Sequence, residues 1–592
     1  MRQRLLAPLL ATVAVAALVA MPTGPTSASP AAPAAPSAAG GTSQSYLVVY
    51  ADGTSNAAAH DAITKAGGTV VDENAAIGLA EVASSDPAFL DQVRSSSAIE
   101  VAARNRSMGT ARPGMGHKFK DERLDDERTA SRARGSEVTA PAEVTSTGGD
   151  PLSSLQWDMQ MIQATPEGTY ATQTGDHGVL VGVIDTGIDG SHPDIAPNFN
   201  AALSRNFTTD IPAIDGPCAE DPDGSCTDPS NVDEDGHGTH VAGTIASPLN
   251  DFGMAGVAPD VQLVNLRAGQ DSGYFFVVES TQAITYAADN GIDVVNMSFY
   301  IDPWLYNCPS ADAYLTHSGG HPTAEEIAEQ QAILAAVNEA VEYAHERNVT
   351  LIAAAGNGHT DLSAPKRKDD TSPDFLMEGD ELVDGAYSRQ VTSDCLDLPS
   401  EAPHVLSVSS VGPSGQKADY SNWGIDEIDV AAPGGWYRDF LGTDDYRQPE
   451  NMILGPYPKS VGLAVGDIDP VTGEPTNEFV VEQCADPTDT TTCAYYQWIQ
   501  GTSMASPHAV GVAALIIAEH GTRDTSGNAT MDPDAVRELL KGTATDHECS
   551  RYNYGLVGRA PAGQWNVECR GDASYNNVYG DGIIDALAAV GG

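Results

Sequence analysis

Apolar positions along this chain fall into two periods. Residues 178–184 (GVLVGVI) form an almost unbroken β-branched run, which predicts a strand buried on both faces of a parallel sheet and ended by the charged Asp185. Residues 292–297 (IDVVNM) and 351–355 read the same way. Ser298, Phe299 and Tyr300 follow the first, and Gly356 and Asn357 follow the second. Elsewhere the spacing is helical: Val241, Ala242 and Ile245 behind His237, an alanine-rich 3.6-residue period over 324–347, and AVGVAALIIAE at 509–519 behind Ser503.

An earlier stretch carries its own pattern. Strands are expected at 46–50, 69–71, 77–82 and about 99–102, with helices at 57–66 and 86–95. The order β-α-β-β-α-β marks a small α+β, ferredoxin-like unit over 45–105. Residues 106–150 are rich in charge, Gly and Pro, include Arg123, Arg128, Arg132 and Arg134, and show little apolar periodicity, as a linker would. At the start, Arg2 and Arg4 precede sixteen uncharged residues (5–20), and Thr26-Ser27-Ala28 offers a small-residue cleavage pattern. Residues 1–28 therefore read as a signal peptide and 29–44 as a low-complexity spacer. The apolar run is shorter than the 18 or so residues that span a bilayer, and no second run exists, so no membrane anchor is expected.

Charge narrows the function classes. The 82 acidic and 30 basic side chains leave a net charge of −52, which argues against a nucleic-acid partner, since such proteins present a positive face. The eight cysteines form no CxxC pair that would suggest zinc, and in an exported chain they predict disulfides. Eight cysteines allow 105 connectivities. Sequence neighbours suggest Cys218 with Cys226, Cys484 with Cys493 and Cys549 with Cys569, leaving Cys308 with Cys395.

Three short segments carry candidate chemistry: VIDTG around Asp185, DGHGTHVAG around His237 and GTSMASPH around Ser503. Singly, each has a bland reading. Asp185 could be a polar strand end beside a glycine turn, Asn357 a turn residue, and Thr502, Ser503 and Ser506 helix caps. His240, one turn beyond His237, reads as internally packed. Together they meet a chemical demand: a serine is a weak nucleophile until a histidine takes its proton, and a carboxylate must hold that histidine in one tautomer.

These segments, in the order Asp, His, Ser, resemble the subtilisin-like serine proteases, the subtilase family. AAAGN ending at Asn357, VAAPGG at 430–435 and GDGIIDA at 580–586 add to a likeness covering roughly 150–590. The resemblance implies an α/β fold with a doubly wound, mostly parallel sheet over 151–592. It implies a secreted serine endopeptidase in which Ser503 attacks, His237 is the base, Asp185 orients it and Asn357 donates to the oxyanion. Polypeptides would be the substrates, no cofactor would be needed for catalysis, and a monomer is expected. Residues 45–105 resemble the inhibitory propeptide that precedes many members, implying self-removal by a cut between Arg104 and Asp150. Ser298, Phe299 and Tyr300 stand at the expected substrate strand, where compact members often have Ser-Leu-Gly-Gly, so a reshaped primary pocket is expected. Asp194 and Asn250 resemble calcium ligands, with carbonyls of the 248–254 loop completing an oxygen shell for structural Ca2+. The acidic stretch 221–235 lacks the glycine and terminal glutamate of an EF-hand and reads as an insertion. Further insertions are expected near 302–348, 361–398 and 436–498, as surface elaborations around the cleft. Two rivals to a broad protease remain: a narrow processing protease for one peptide precursor, and an inactive binding scaffold.

Overall fold

The computed structural model describes residues 43–105, 122–124 and 149–592, except 213, 220–223, 318, 379, 380, 385 and 554–565. The expected signal peptide, nearly all of the spacer and most of the linker lie outside the described residues.

The first element group is the expected β-α-β-β-α-β unit: β1 (Gln44–Tyr50), α1 (Asn56–Lys65), β2 (Thr69–Asn74), β3 (Leu79–Ser84), α2 (Phe89–Arg94) and β4 (Ile99–Arg104). The strands pair antiparallel in the order β2-β3-β1-β4. Alternation along β1 sends Tyr46, Val48 and Tyr50 to one face, where they pack with Ile63, Phe89 and Val93 of the two helices. Leu47 and Val49 go to the other face and join the core of the main body. This small sheet is therefore covered on both sides. Asn74 donates to Thr285 Oγ1 at 2.9 Å across the junction, and Arg94 pairs with Glu325 at its rim.

The main body is built on a seven-stranded sheet. Its strands are β5 (Leu180–Ile184), β6 (Arg205–Asn206), β7 (Gln262–Arg267), β8 (Val294–Met297), β9 (Thr350–Ala354), β10 (Val405–Val411) and β11 (Val430–Pro433). They run parallel in the order β11-β10-β9-β8-β5-β7-β6. Period-two alternation divides them between two cores. Val181, Val183, Val294 and Ile352 face α3 (His237–Ala246) and α6 (Thr502–His520). Ile184, Val295, Met297 and Leu351 face α4 (Val277–Asp289) and α5 (Ala324–His345). Helices on both faces make this the expected doubly wound sheet. The alanine-rich period becomes α5, which starts at a capping box in which Thr323 and Glu326 satisfy each other's backbone N–H.

Three disulfides join the pairs that sequence neighbours suggested, and the fourth joins Cys308 with Cys395, the pair left by elimination. The polar stretch near 361–398 is no loose surface loop. Arg367 and Arg389 are fully buried there, paired with Glu401 and Asp369. Ion pairs and Tyr306, Tyr314 and Trp304 ring faces supply the interior, so the segment has no apolar period to read. The 436–498 stretch forms an antiparallel sheet of β12 (Ile453–Tyr457), β13 (Val480–Cys484) and β14 (Cys493–Ile499), in the order β12-β14-β13. It lies directly on α3. A Cβ on Gly243 would come within 2.1 Å of Pro456, so the glycine is what permits that approach.

Candidate active site

Asp185 leaves the carboxyl end of β5, the edge of an open α/β sheet at which functional groups collect. The turn after it runs against the start of α3, and a side chain at Gly238 would collide with the Gly187 carbonyl at 2.1 Å. Gly236 holds the left-handed conformation (φ 98°) that starts the helix. Asp233 organises this junction: its carboxylate accepts from the N–H groups of Gly236 and Thr239 and from the hydroxyls of Thr186 and Thr239. An acid there satisfies donors that the first turn of a helix leaves open. Part of the acidic stretch before His237 is thus scaffolding for that residue. Nothing in the sequence separated Asp233 from its acidic neighbours.

The outcome is a buried pair, His237 Nδ1 to Asp185 Oδ1 at 2.7 Å. His240 turns inward as expected, its Nε2 between the carbonyls of Ile453 and Gln497. Burial drives its pKa down to about 3, so it stays neutral.

Ser503 sits in the first turn of α6, after Gly501, where backbone N–H groups lack helical partners. The amide of Asn357 is oriented by Thr502, whose N–H and hydroxyl both donate to Asn357 Oδ1 at 2.9 Å. That leaves the Asn357 NH2 as a donor toward the same cluster. The structure thus brings Asp185, His237, Asn357 and Ser503 into one cluster from four separate segments.

One further side chain joins them. Glu122, from the linker, is buried at the centre of the cluster. Its Oε1 accepts from Ser503 Oγ at 2.7 Å and from Asn357 Nδ2 at 2.5 Å, and its Oε2 lies 3.1 Å from His237 Nε2. This carboxylate thus links the serine and the histidine. Burial alone would lower the pKa of His237. The carboxylates of Asp185 and Glu122 overcome that and push it up to about 10, so the ring is held as the cation. No sequence signal marked Glu122 among the charged residues around it.

Of the three residues expected at the substrate strand, only Ser298 reaches the centre. Its hydroxyl donates to the Ser503 carbonyl at 2.9 Å. Phe299 is buried, stacked on Phe275 with ring centroids 4.0 Å apart. Tyr300 directs its hydroxyl toward Asp374 at 3.4 Å.

The expected calcium ligands do meet. Asp194 Oδ1 accepts from the Asn250 amide at 3.1 Å, and Oδ2 from the Met254 N–H and the Tyr496 hydroxyl. Asp150, missed in the sequence, accepts the Asn250 N–H, while its second, buried oxygen has no partner. Burial raises both carboxyls, Asp194 to about 6, and the Asp150 charge adds to the rise at Asp194. Two clustered carboxylates with an orphaned oxygen are a donor set that fits a hard cation.

A model of the subtilase family matches residues 176–582. Subtilisin DY of Bacillus licheniformis is 26% identical over 387 residues, which cover 65% of this chain and 91% of that protein. The nisin leader peptide-processing serine protease of Lactococcus lactis subsp. lactis is 26% identical over 370 residues, 62% of this chain and 44% of that one. Among solved structures, the epidermin leader peptide processing serine protease from Staphylococcus aureus superposes with a TM-score of 0.55 at 19% identity, covering 93% of this chain and 98% of that one. No helix among the described residues is long and apolar enough to cross a membrane.

Proposed function

Because the chain belongs to the subtilase family and is a serine endopeptidase, we propose that Asp185, His237 and Ser503 are its catalytic triad and Asn357 its oxyanion donor. The observation that carries this reading is the buried Asp185–His237 pair facing Ser503 and the oriented Asn357 amide. Once the linker carboxylate has left, His237 loses its second acidic neighbour and becomes a base. It takes the Ser503 proton as Oγ attacks a peptide carbonyl, and Asp185 stabilises the resulting imidazolium. The Ser503 N–H and Asn357 Nδ2 receive the oxyanion. His237 then protonates the leaving amine, and water cleaves the acyl-enzyme by the reverse path. A fluorophosphonate probe should label the processed protein and fail to label Ser503→Ala. Equal labelling of the two would end this reading, and no labelling of either would leave the inactive scaffold.

The same proposal takes the protein as secreted, with 1–28 as its signal peptide, and as made in precursor form, with 45–105 as an intramolecular inhibitor removed by a cut between Arg104 and Asp150. N-terminal sequencing of secreted protein that found a stable start near Ser29 would contradict it. Ser298, Phe299 and Tyr300 form the edge along which extended substrate lies. A cleavage profile over a peptide library identical to that of broad subtilisins would count against a pocket reshaped there. Asp150, Asp194 and Asn250 hold structural calcium, so chelator should lower the melting temperature and added Ca2+ restore it. An unchanged melting temperature would remove the ion from the proposal.

A narrower reading, a protease that trims one peptide precursor, draws support from the names of two similar proteins, both leader-peptide processing proteases. Matured protein that leaves casein intact while cutting a single precursor would establish it.

A further inference from the structure

Glu122 lies outside the expected triad, and its position has consequences for how the enzyme is kept silent. The carboxylate spans the three donors that a reacting peptide would use: the nucleophile Ser503, the oxyanion donor Asn357 and the imidazole of His237. Its side chain is only 7% exposed, so these bonds are made out of water. A Cβ at Gly501 would stand 2.7 Å from Glu122 Oε1, so the site has room for this carboxylate because residue 501 has no side chain.

The neighbours of Glu122 hold it there. Its own carbonyl accepts from the Gln500 N–H at 3.1 Å. Arg123 pairs with the buried Asp235, whose Oδ1 also accepts the His237 N–H. Leu124 is buried in the main core, at a positive φ of 51° that a leucine seldom adopts.

We propose that the catalytic centre of the precursor is a carboxylate-binding site whose resident ligand is the side chain of Glu122, an intramolecular plug that silences the enzyme until the linker withdraws. This rests on the triad reading above and names the group that blocks it. A carboxylate has the negative oxygens that the oxyanion donors are built to receive, yet its carbon is a poor electrophile, so Ser503 has nothing to attack. The hydroxyl proton of Ser503 points at Glu122 instead of at the imidazole. His237, between two acids, keeps a proton on each nitrogen and is no base. Inhibition would therefore reside in one charge on the linker as well as in the bulk of the 44–105 sheet.

The test compares full-length precursors of the native sequence, Glu122→Gln and Glu122→Ala, by the initial rate at which fluorophosphonate labels the unprocessed band. Both variants retain the Gln500 main-chain bond and the Arg123–Asp235 pair. The expected result is labelling at least ~10-fold faster in both variants than in the native precursor. Equal rates in all three, with the native matured form labelled normally, would overturn the plug while leaving the protease standing. Faster labelling in Glu122→Ala alone would also overturn it, since bulk and not charge would then be the block. Failure of every form to label, matured protein included, would strike the triad reading instead.

A second readout does not depend on processing. In Ser503→Ala precursor, adding Glu122→Gln should lower the pH midpoint at which His237 loses its imidazolium NMR signal by about one unit. An unchanged midpoint would mean that Glu122 is only a structural neighbour of the ring.

Discussion

The end of β5 and the linker turn at 122–124 each place a carboxylate against His237, one on each ring nitrogen. They are held by different means. β5 is paired on both sides, with β7 and β8, and the Asp185 carbonyl accepts two further bonds, from Ala268 and Gly269. Moving Asp185 would require opening the middle of the sheet. Among the described residues, the linker turn is held by the Glu122 carbonyl, the Arg123–Asp235 pair, the buried Leu124 in a disfavoured conformation and the three bonds of the Glu122 carboxylate, none of them part of a sheet. A segment held outside any sheet ladder can open locally at less than the free energy of global unfolding. In the proposed reading, two like groups on one ring thus take opposite parts, a permanent orienter and a removable block.

The sharpest way to break that comparison is to neutralise each acid in turn. Asp185→Asn should cost matured enzyme about 10⁴-fold in kcat, because the amide leaves the imidazole in the wrong tautomer. Glu122→Gln works in the other direction on the precursor. A loss in kcat below about 10-fold for Asp185→Asn, measured on a chromogenic peptide with the matured protein, would mean that the sheet-borne acid is not the orienter.

Asn357 tests a group that both the plug and the reaction use. Asn357→Ala should lower kcat by roughly 10²- to 10³-fold with little change in KM, the usual cost of removing one oxyanion donor. The same change removes one of the bonds to Glu122 in the precursor, so its unprocessed band should hold the linker less firmly and become more sensitive to added protease at 106–148. A KM effect without a kcat effect would place Asn357 in ground-state binding.

The sequence made the catalytic geometry legible wherever chemistry and backbone needs coincide in a short window. VIDTG joins a buried strand to an acid, and GTSMASPH joins a glycine turn to a serine and an apolar helix, so fold and site were read from the same residues. Asp233, Asp150 and Glu122 escaped for a common reason. Each is an ordinary acid with no motif of its own, and its role depends on what lies opposite it in space: open helix N–H groups, a second buried carboxylate, or the oxyanion donors. The 361–398 stretch escaped because Arg367 and Arg389 are buried by pairing. Buried charge has no sequence period.

The smallest effect separates the two acids by pH. Against burial, Asp185 and Glu122 push His237 up to about 10 in the folded precursor, whereas an unfolded histidine titrates near 6.5. The folded state binds this proton more tightly than the unfolded state. The resulting stabilisation is therefore complete below about pH 6.5 and is lost progressively as the pH rises toward 10. The melting temperature of Ser503→Ala precursor should fall by a few degrees across that window for this reason. With Glu122→Gln added, the fall should come at lower pH and be shallower, since only Asp185 is left to hold the proton. A melting temperature with the same pH slope in both proteins would assign the whole effect to the sheet-borne acid, and the linker would then contribute nothing to the charge on the ring.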